Sequence, residues 1–389
     1  MRYIWSYYGA DVQPTPLTWI EIDQSALLWN AAQLRSHLDR GVKLCGVVKS
    51  NAYGHDQIIC SRILEEEAAC DWLGVHSLSE AEFLREAGIG LPVYVMGYVS
   101  FGELEKAFSL DVRMAIYNLE TAEMLEKIGE KIGKKMRVHL KVETGSYRQG
   151  VCEDELDAWC DFFKKSRFVE LDGASTHFAN IEDEQDRSYS IAQMERMKSA
   201  LRRLNRCGLS VSVVHQANSG AALLYPEYCG NMARSGIALY GLWPSESVRR
   251  LDCGRTELQP VMTWKSLVAQ VKNVPEGSFI GYGGSYVAKR STKLAIVPVG
   301  YADGYDRKLS NRGHVLIHGA RAPVVGRVCM NIIMVDITDI AGVQLEDEVV
   351  LLGRQGKNVI SADELAEWAS TINYEVVSRI REGIQRKMV

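Results

Sequence analysis

The chain has 389 residues, 47% of them hydrophobic and 24% charged, and its formal net charge is −4. This length predicts one large and one smaller domain, and a weakly acidic chain without a basic stretch is not typical of a nucleic-acid-binding protein. Nine scattered cysteines without a C-x-x-C pair argue against a zinc site or a disulfide framework and fit the reducing cytoplasm.

No run of residues approaches the roughly 18 consecutive apolar positions of a membrane-spanning helix, so no membrane segment is predicted within the chain. Residues 1–16, with prolines at positions 14 and 16, are predicted to form an extended lead-in. This aromatic start is too short for a signal peptide. It also fits a cytoplasmic domain that follows a membrane domain located upstream.

Residues 17–246 alternate between short apolar runs and charged stretches of helical periodicity, for example 79–87 and 187–206. Eight of the apolar runs are predicted to be strands: 43–49, 72–77, 93–97, 113–117, 137–143, 173–178, 212–216 and 233–239. Eight strand–helix units indicate a (β/α)8 barrel of the TIM type. A doubly wound open sheet gives a similar rhythm and stays as the alternative.

Residues 247–389 are predicted to form a mostly β C-terminal domain, because strand-like runs there are separated by turns. The predicted strands are 262–274, 294–300, 314–317, 322–328, 332–337 and 349–352, with a helix at 361–370. Residues 243–255 contain proline, serine and glycine and are predicted to be the linker.

Polar residues follow several predicted barrel strands, at the end where barrel enzymes carry their functional groups. Lys49 follows two valines, where it either extends into solvent or, with a pKa lowered by burial, acts as a nucleophile toward an aldehyde. Small residues at 218–220 and 234–237 follow strands seven and eight, where backbone N–H groups commonly bind phosphate. The combination suits a phosphate-bearing aldehyde, pyridoxal 5′-phosphate.

The segment 47–55, Val-Val-Lys-Ser-Asn-Ala-Tyr-Gly-His, resembles the cofactor-lysine motif of the alanine racemase family. Further segments that resemble the family follow in family order: 140–145, 176–179, 217–219, 234–241, 281–286, 300–304, 326–330 and 373–375. The resemblance spans residues 18–389. It implies a barrel followed by a β domain, and an isomerase that interconverts L- and D-alanine with pyridoxal phosphate, as D-alanine and peptidoglycan synthesis require.

The resemblance also assigns the catalytic groups. Lys49 would carry the cofactor as a Schiff base and act as one base, and the partner subunit's Tyr282 would be the other, in a homodimer with shared active sites. Two bases are needed because the Cα proton leaves one face of a planar carbanion and returns on the other. Arg234 would donate a hydrogen bond to the pyridine nitrogen, and His177 would orient or tune Arg234 and Tyr282.

The remaining site residues are likewise implied by the resemblance. Arg148 would bind the cofactor's phenolic oxygen and the substrate carboxylate, next to a carbamylated Lys141. The groups that would bind the cofactor phosphate, or lie beside it, are Tyr53, Asn218, Ser219, Gly236, Ile237 and Tyr374. The partner subunit's Tyr301 and Met330 would complete the substrate mouth, with Arg307, Arg327 and Ile372 further out. No metal is implied.

Five of these candidates have a structural alternative by residue type. These alternatives are a solvent-exposed Lys49, a rim ion pair for Arg234, a core histidine for His177, a loop aromatic for Tyr282 and an ion-paired Lys141. Departures from the family pattern occur at Ser146, Tyr147, Gln149, Glu182 and Asn331, near the site or its mouth. None of these departures removes a catalytic group, so they affect which substrate is expected and not the expected chemistry.

Three other functions remain as alternatives to alanine racemisation. Serine racemase domains of vancomycin-resistance proteins resemble alanine racemases and follow a membrane domain, although Tyr374 narrows the pocket as for alanine. A non-catalytic cofactor-binding barrel would lack the β domain. A decarboxylase would present a carboxylate, not Arg234, to the pyridine nitrogen.

Overall fold

The computed structural model describes residues 16–182 and 186–389, so the predicted lead-in lies outside the described residues except for Pro16. Contacts divide the chain into two units, Asp23–Val261 and a second that joins Met262–Val389 to the described residues up to Ile22. The first strand, β1 (Thr18–Ile22), belongs to the second unit. The sequence had placed residues from 17 onward in the barrel and those from 247 onward in the β domain.

The Asp23–Val261 unit contains one eight-stranded parallel sheet. Its strands are β2 (Lys43–Val47), β3 (Trp72–Val75), β4 (Val93–Val95), β5 (Val112–Ile116), β6 (Met136–Lys141), β7 (Val169–Ser175), β8 (Val213–His215) and β9 (Met232–Ser235). The order is sequential from β2 to β8, and β9 pairs with β2. A bridge between His215 and Gly230 links the remaining edge. The sheet is therefore a nearly closed barrel, which confirms the predicted fold and excludes the doubly wound alternative.

One helix precedes the first barrel strand, and the others follow barrel strands. They are α1 (Gln24–His37), α2 (Lys49–Tyr53), α3 (Gln57–Glu66), α4 (Leu78–Glu86), α5 (Leu104–Ser109), α6 (Leu119–Ile132), α7 (Leu156–Lys165), α8 (Ser188–Arg206), α9 (Ser219–Leu224) and α10 (Glu246–Asp252). The predicted linker contains α10, because the Ser245 hydroxyl accepts a hydrogen bond from the Val248 N–H and caps a helix there.

The barrel interior is filled by side chains that alternate inward along the strands. One cluster takes a residue from each of six strands: Cys45, Trp72, Tyr94, Ala115, Val213 and Met232. The predicted eighth strand was too long: β9 ends at Ser235, and Ile237–Tyr240 form a 3-10 turn. The strand stops where Gly236 leaves the extended conformation, with φ −114° and ψ −88°.

The second unit is mostly β, as predicted. After β1 its strands are β10 (Met262–Leu267), β11 (Gln270–Val274), β12 (Phe279–Ile280), β13 (Tyr286–Val287), β14 (Thr292–Val297), β15 (His314–Ile317), β16 (Ala320–Pro323), β17 (Ile333–Asp336), β18 (Glu348–Gln355), β19 (Asn358–Ile360) and β20 (Gln385–Met388). Two helices, α11 (Ala362–Ala369) and α12 (Asn373–Ser378), lie near the C-terminus. The predicted strand 262–274 is two strands, since β10 and β11 belong to different sheets.

Strand β1 pairs antiparallel with β10 and parallel with β20. Its alternation buries Ile20 and Ile22, while Glu21 on the other face forms ion pairs with Lys265 and Lys387 at 2.9 and 3.1 Å. Both edges of β1 are thereby paired within the second unit. None of the described helices has both the length and the apolarity that crossing a membrane requires.

Candidate active site

Lys49 lies just past the carboxyl end of β2 and is half-buried. Burial lowers the pKa of its amine, the Arg148 and Arg234 cations lower it further, and Glu80 opposes them. Its Nζ lies 5.9 Å from the centre of the Tyr53 ring. A larger neutral fraction makes this amine a better nucleophile than an ordinary surface lysine.

The turn that follows Lys49 is left-handed. Ser50, Asn51, Ala52 and Tyr53 have φ of 52°, 53°, 53° and 54°, a conformation that costs side-chain-bearing residues energy. Two hydrogen bonds join the turn to neighbouring segments: Glu80 accepts the Ser50 N–H at 2.6 Å, and the Asn51 side chain accepts the Gln57 N–H at 2.8 Å. Strained backbone of this kind collects at functional sites. The sequence did not reveal it, since none of these residue types requires positive φ.

The Tyr53 hydroxyl approaches the start of the turn after β9. A Cβ on Gly236 would lie 2.4 Å from the Tyr53 oxygen, so only glycine permits this approach. The Ser219 hydroxyl accepts the Gly236 N–H at 3.0 Å and contacts the Ser235 hydroxyl, also at 3.0 Å. Three hydroxyls and a backbone N–H therefore meet here, a donor set that suits a phosphate group.

We call this set of donors the cradle, and Asn218 supports it. Its side-chain oxygen accepts the Ala221 N–H at 3.0 Å, and its amide donates to Glu182 at 2.8 Å. The first contact caps α9, whose first residue is Ser219. Asn218 thus orients the segment that presents Ser219.

Arg234 is buried on β9, and its guanidinium is fixed by three acceptors. One nitrogen donates to His215 Nδ1 at 2.7 Å. The other donates to the carbonyls of Thr176 and Gln216 at 2.8 and 3.2 Å and lies 3.5 Å from His177 Nδ1. A guanidinium has no acceptor lone pair, so His215 Nδ1 is unprotonated.

Two buried histidines, His215 and His139, continue the hydrogen-bond network that begins at Arg234. Burial lowers the pKa of His215 well below its usual value, and the Arg234 cation adds to this, so His215 is neutral. Its Nε2–H then donates to His139 Nδ1 at 2.8 Å, and His139 Nε2 lies 3.8 Å from the Asp172 carboxylate. Burial also lowers the pKa of His139, against the opposing effect of Asp172. The sequence analysis missed both histidines, although each occupies an inward position of an apolar strand.

His177 follows β7 and lies close to the Arg234 guanidinium. Burial lowers its pKa well below the usual value, and the nearby Lys141 and Arg234 cations act in the same direction. Lys141 ends β6; burial and the Arg234 and Arg148 cations lower its pKa strongly, whereas Glu143 opposes them. The structure thus brings Lys49, Lys141, His177 and Arg234 into one electrostatically coupled group.

Arg148 is exposed, on the loop between β6 and α7. The Glu143 carboxylate organises this loop by accepting the Gly145 N–H at 2.5 Å. Burial acts to raise the pKa of Glu143, but the backbone N–H groups of Gly145, Tyr147, Ser146 and Arg148 hold it below its usual value.

The second unit presents its candidate residues on exposed loops. Tyr282 is 72% exposed, in a turn where Gly281 and Gly283 have φ of 75° and 68°. The Tyr301 N–H donates to the Cys329 carbonyl at 3.0 Å, which holds Tyr301 next to the loop of Met330. Large apolar side chains are exposed in the same unit at Phe279, Tyr282, Tyr301, Met330, Ile332 and Ile372.

Two further predicted site residues of this unit, Arg327 and Arg307, also have defined surroundings. Arg327 lies against the Tyr282 turn, since a Cβ on Gly283 would be 3.2 Å from its guanidinium. Arg327 and Arg307 line one cavity of about 430 Å³ together with Lys308 and Arg312. Tyr374 lies on α12 and is half-buried.

Comparisons with known proteins agree over most of the chain. Residues 22–244 match the family model described as alanine racemase, N-terminal domain, and residues 261–388 match alanine racemase, C-terminal domain. The alanine racemase of Halothermothrix orenii is 41% identical over 370 residues, which is 95% of this chain and 96% of the relative. That of Methanococcus maripaludis is 41% identical over 371 residues, covering 95% and 97%.

Solved structures give the same result. An alanine racemase from Clostridium difficile 630 has a TM-score of 0.91 and 34% identity, covering 97% of each chain. The alanine racemase from Bacillus anthracis with bound L-Ala-P has a TM-score of 0.90 and 34% identity, covering 97% of this chain and 96% of the other.

Proposed function

The chain belongs to the alanine racemase family, and from that membership we propose that it interconverts L- and D-alanine with pyridoxal 5′-phosphate held on Lys49. The observation that carries the proposal is the placement of Lys49, an amine of lowered pKa, in one electrostatic group with the donor-only Arg234. The neutral amine is the form that attacks an aldehyde. Two racemase domains in family order support the same activity.

The residues present fit the cofactor. Its phosphate would be bound by the Tyr53 and Ser219 hydroxyls and by the N–H groups of Gly236 and Ile237, where the absence of a Cβ at Gly236 leaves the close approach open. Asn218 would support this site by capping α9. Tyr374 of α12 would add a third hydroxyl.

Arg234 would donate to the pyridine nitrogen and leave it unprotonated. Its other donors are already committed to His215 Nδ1 and to two carbonyls, which fixes the orientation of the guanidinium. When bound, the cofactor supplies an electron sink for the electron pair left at the substrate Cα. A ring nitrogen without a proton is a weaker sink, so this arrangement favours proton return over transamination or decarboxylation.

Proton transfer then needs two bases on opposite faces of Cα. We propose Lys49 as one base and the partner subunit's Tyr282 as the other, in a homodimer with shared sites. The 72% exposure of Tyr282 and the apolar side chains exposed in the same unit support a contact with a second subunit. The partner subunit's Tyr301 and Met330 would border the substrate, and His177 would tune the acid–base groups.

Arg148 would bind the substrate carboxylate and the cofactor's phenolic oxygen. Lys141 would carry a carbamate: its neutral amine attacks carbon dioxide, an N–C bond forms, and the nitrogen releases a proton. The lowered pKa of Lys141 supports this, because burial increases the neutral fraction of the amine and only the neutral amine reacts. The resulting anion would pair with Arg148. A cytoplasmic location is proposed with this activity, because L-alanine and the cofactor are found there.

One experiment tests the function. The purified enzyme is expected to form D-alanine from L-alanine much faster than D-serine from L-serine, and to carry the visible colour of lysine-bound cofactor. Lys49→Ala is expected to lose the colour. Its racemisation rate is expected to fall by about 10²–10⁴-fold or more, the usual cost of losing a positioned acid–base group. Lys43→Ala is the matched control, since Lys43 begins the same strand and is exposed. An active, coloured Lys49→Ala enzyme would remove Lys49 from the mechanism, and a preference for serine would overturn alanine as the substrate.

A further inference from the structure

Helix α8 contacts the two strand ends that carry Arg148 and His177. Three of its residues, Tyr189, Gln193 and Arg196, are spaced four and three positions apart and so lie on one face of the helix. We name these three residues the α8 clamp. None of the three is among the site residues proposed above.

Gln193 makes the central contacts of the α8 clamp. It is fully buried, its side-chain oxygen accepts the Ala179 N–H at 2.9 Å, and its amide donates to the His177 carbonyl at 3.1 Å and to the Thr144 hydroxyl at 3.2 Å. Both amide hydrogens are therefore used, one on each strand end. The single side chain joins the segment after β6 to the segment after β7.

The other two members hold the backbone of the β6 segment. Arg196 donates to the Thr144 carbonyl and the Tyr189 hydroxyl donates to the Gly145 carbonyl, each at 2.6 Å. A Cβ on Gly145 would lie 2.7 Å from the Tyr189 oxygen and 3.0 Å from the Arg196 nitrogen, and φ is +140° there. The glycine is thus what lets the helix come this close.

The two strand ends are also joined to each other and to Arg234. The Thr144 and Thr176 hydroxyls are 2.6 Å apart, and the Thr176 carbonyl accepts the Arg234 guanidinium at 2.8 Å. A shift of Gln193 would therefore displace His177 directly and loosen the start of the loop of Arg148.

We propose that Gln193 is a positioning residue for racemisation, which fixes the ends of β6 and β7 so that Arg148 and His177 keep their places around Arg234. This inference rests on the proposed function for the roles of Arg148 and His177. A displacement of about 1 Å at such groups can cost about 10²-fold in rate.

The test compares Gln193→Met, which keeps the length of the side chain but makes none of its three hydrogen bonds, with the control Asn231→Met. Asn231 also uses its amide to join two backbone groups, the Val214 N–H and the Ser212 carbonyl, but at the amino end of the barrel strands. Amide hydrogen exchange is measured without cofactor or substrate. In Gln193→Met the segments 143–151 and 177–181 are expected to exchange faster than in the wild type, and in Asn231→Met they are not.

Steady-state kinetics of alanine racemisation form the second readout. Gln193→Met is expected to lose about ten- to a hundredfold in kcat/KM, with a raised KM because Arg148 would bind the substrate carboxylate. Asn231→Met is expected to lose less than about threefold. Arg196→Met, on the exposed side of the clamp, is expected to change both readouts in the same direction by a smaller amount, and serves if Gln193→Met does not fold.

The outcomes separate the inference from the function. Three results for Gln193→Met would overturn the positioning role. These are faster amide exchange without a loss in kcat/KM, a loss in kcat/KM with unchanged amide exchange, and no change in either measurement. A wild-type enzyme inactive on alanine would overturn the proposed function, while the exchange result would still decide whether the clamp orders the two segments.

Discussion

The two units present their candidate residues in opposite ways. In the barrel, Arg234 is 5% exposed and its donors are paired, and Lys49 is held by a strained turn. In the second unit, Tyr282 is 72% exposed and Met330 is 55% exposed. The barrel part of the site is therefore organised by contacts within its own unit. The exposed tyrosine needs a contact with another surface before it can act as a buried base.

The substitution Tyr282→Phe tests the role of the exposed tyrosine and has the largest expected effect. If the tyrosine serves one face of Cα, its loss is expected to slow Cα–deuterium exchange from L-alanine by about 10²–10⁴-fold and exchange from D-alanine far less. The measurement follows the first proton transfer for each enantiomer separately. Net racemisation must still fall in both directions, because the equilibrium between enantiomers is near unity. Equal slowing for both enantiomers would point to a single-base mechanism or to a structural role for Tyr282.

A second prediction concerns the barrel cradle. Gly236→Ala places a methyl group 2.4 Å from the Tyr53 oxygen and should push the tyrosine out of the cradle. Removing one hydrogen bond to a charged group costs about 1.5–3 kcal/mol, so cofactor affinity is expected to fall by roughly ten- to a hundredfold. The Kd is measured by titrating cofactor into the apoenzyme. Gly102→Ala is the control, since a Cβ there meets nothing within 4 Å, and equal affinities for the two variants would contradict the cradle.

The smallest predicted effect is a pH dependence of stability. His139, His177 and His215 all have a lowered pKa in the folded barrel, first because of burial. As the pH falls below the unfolded value of about 6.5, the unfolded chain takes up protons that the folded chain does not. Stability is therefore fully present above pH 6.5 and decreases as the pH falls, by up to about 1.4 kcal/mol per pH unit for each histidine.

This prediction is checked by denaturant unfolding between pH 7 and pH 5. His177→Asn is expected to reduce the slope of unfolding free energy against pH by about one proton. An identical slope in the variant would contradict the view that His177 is held neutral by the barrel.

Much of this architecture could be predicted from the sequence. All eight barrel strands were located by their apolar runs, and the second unit was predicted as mostly β. Residues 18–22 were included in the barrel domain without a predicted strand, and the structure instead places them as strand β1 of the second unit. Its partners β10 and β20 lie more than two hundred residues away in the chain, and no local pattern encodes that pairing.

The site was predicted unevenly for a similar reason. Lys49, His177 and Arg234 were singled out as candidates because each follows or ends an apolar strand on the same side of the barrel. His139 and His215 were missed because a single polar residue inside an apolar strand has the same pattern whether it faces the core or the helices. Gln193 was missed because it reads as one more polar residue of an amphipathic helix, and only the packed structure shows that it is buried.

The central claim is that one active site combines Lys49 of one subunit with Tyr282 of its partner, and subunit mixing tests it most directly. Lys49→Ala and Tyr282→Phe proteins, each nearly inactive alone, are mixed and allowed to exchange subunits, and alanine racemisation is measured over time. The account predicts that activity rises as heterodimers form, because each heterodimer contains one site with both an intact Lys49 and an intact Tyr282. Activity that stays at the level of the separate variants, after heterodimers have been shown to form, would contradict the shared site.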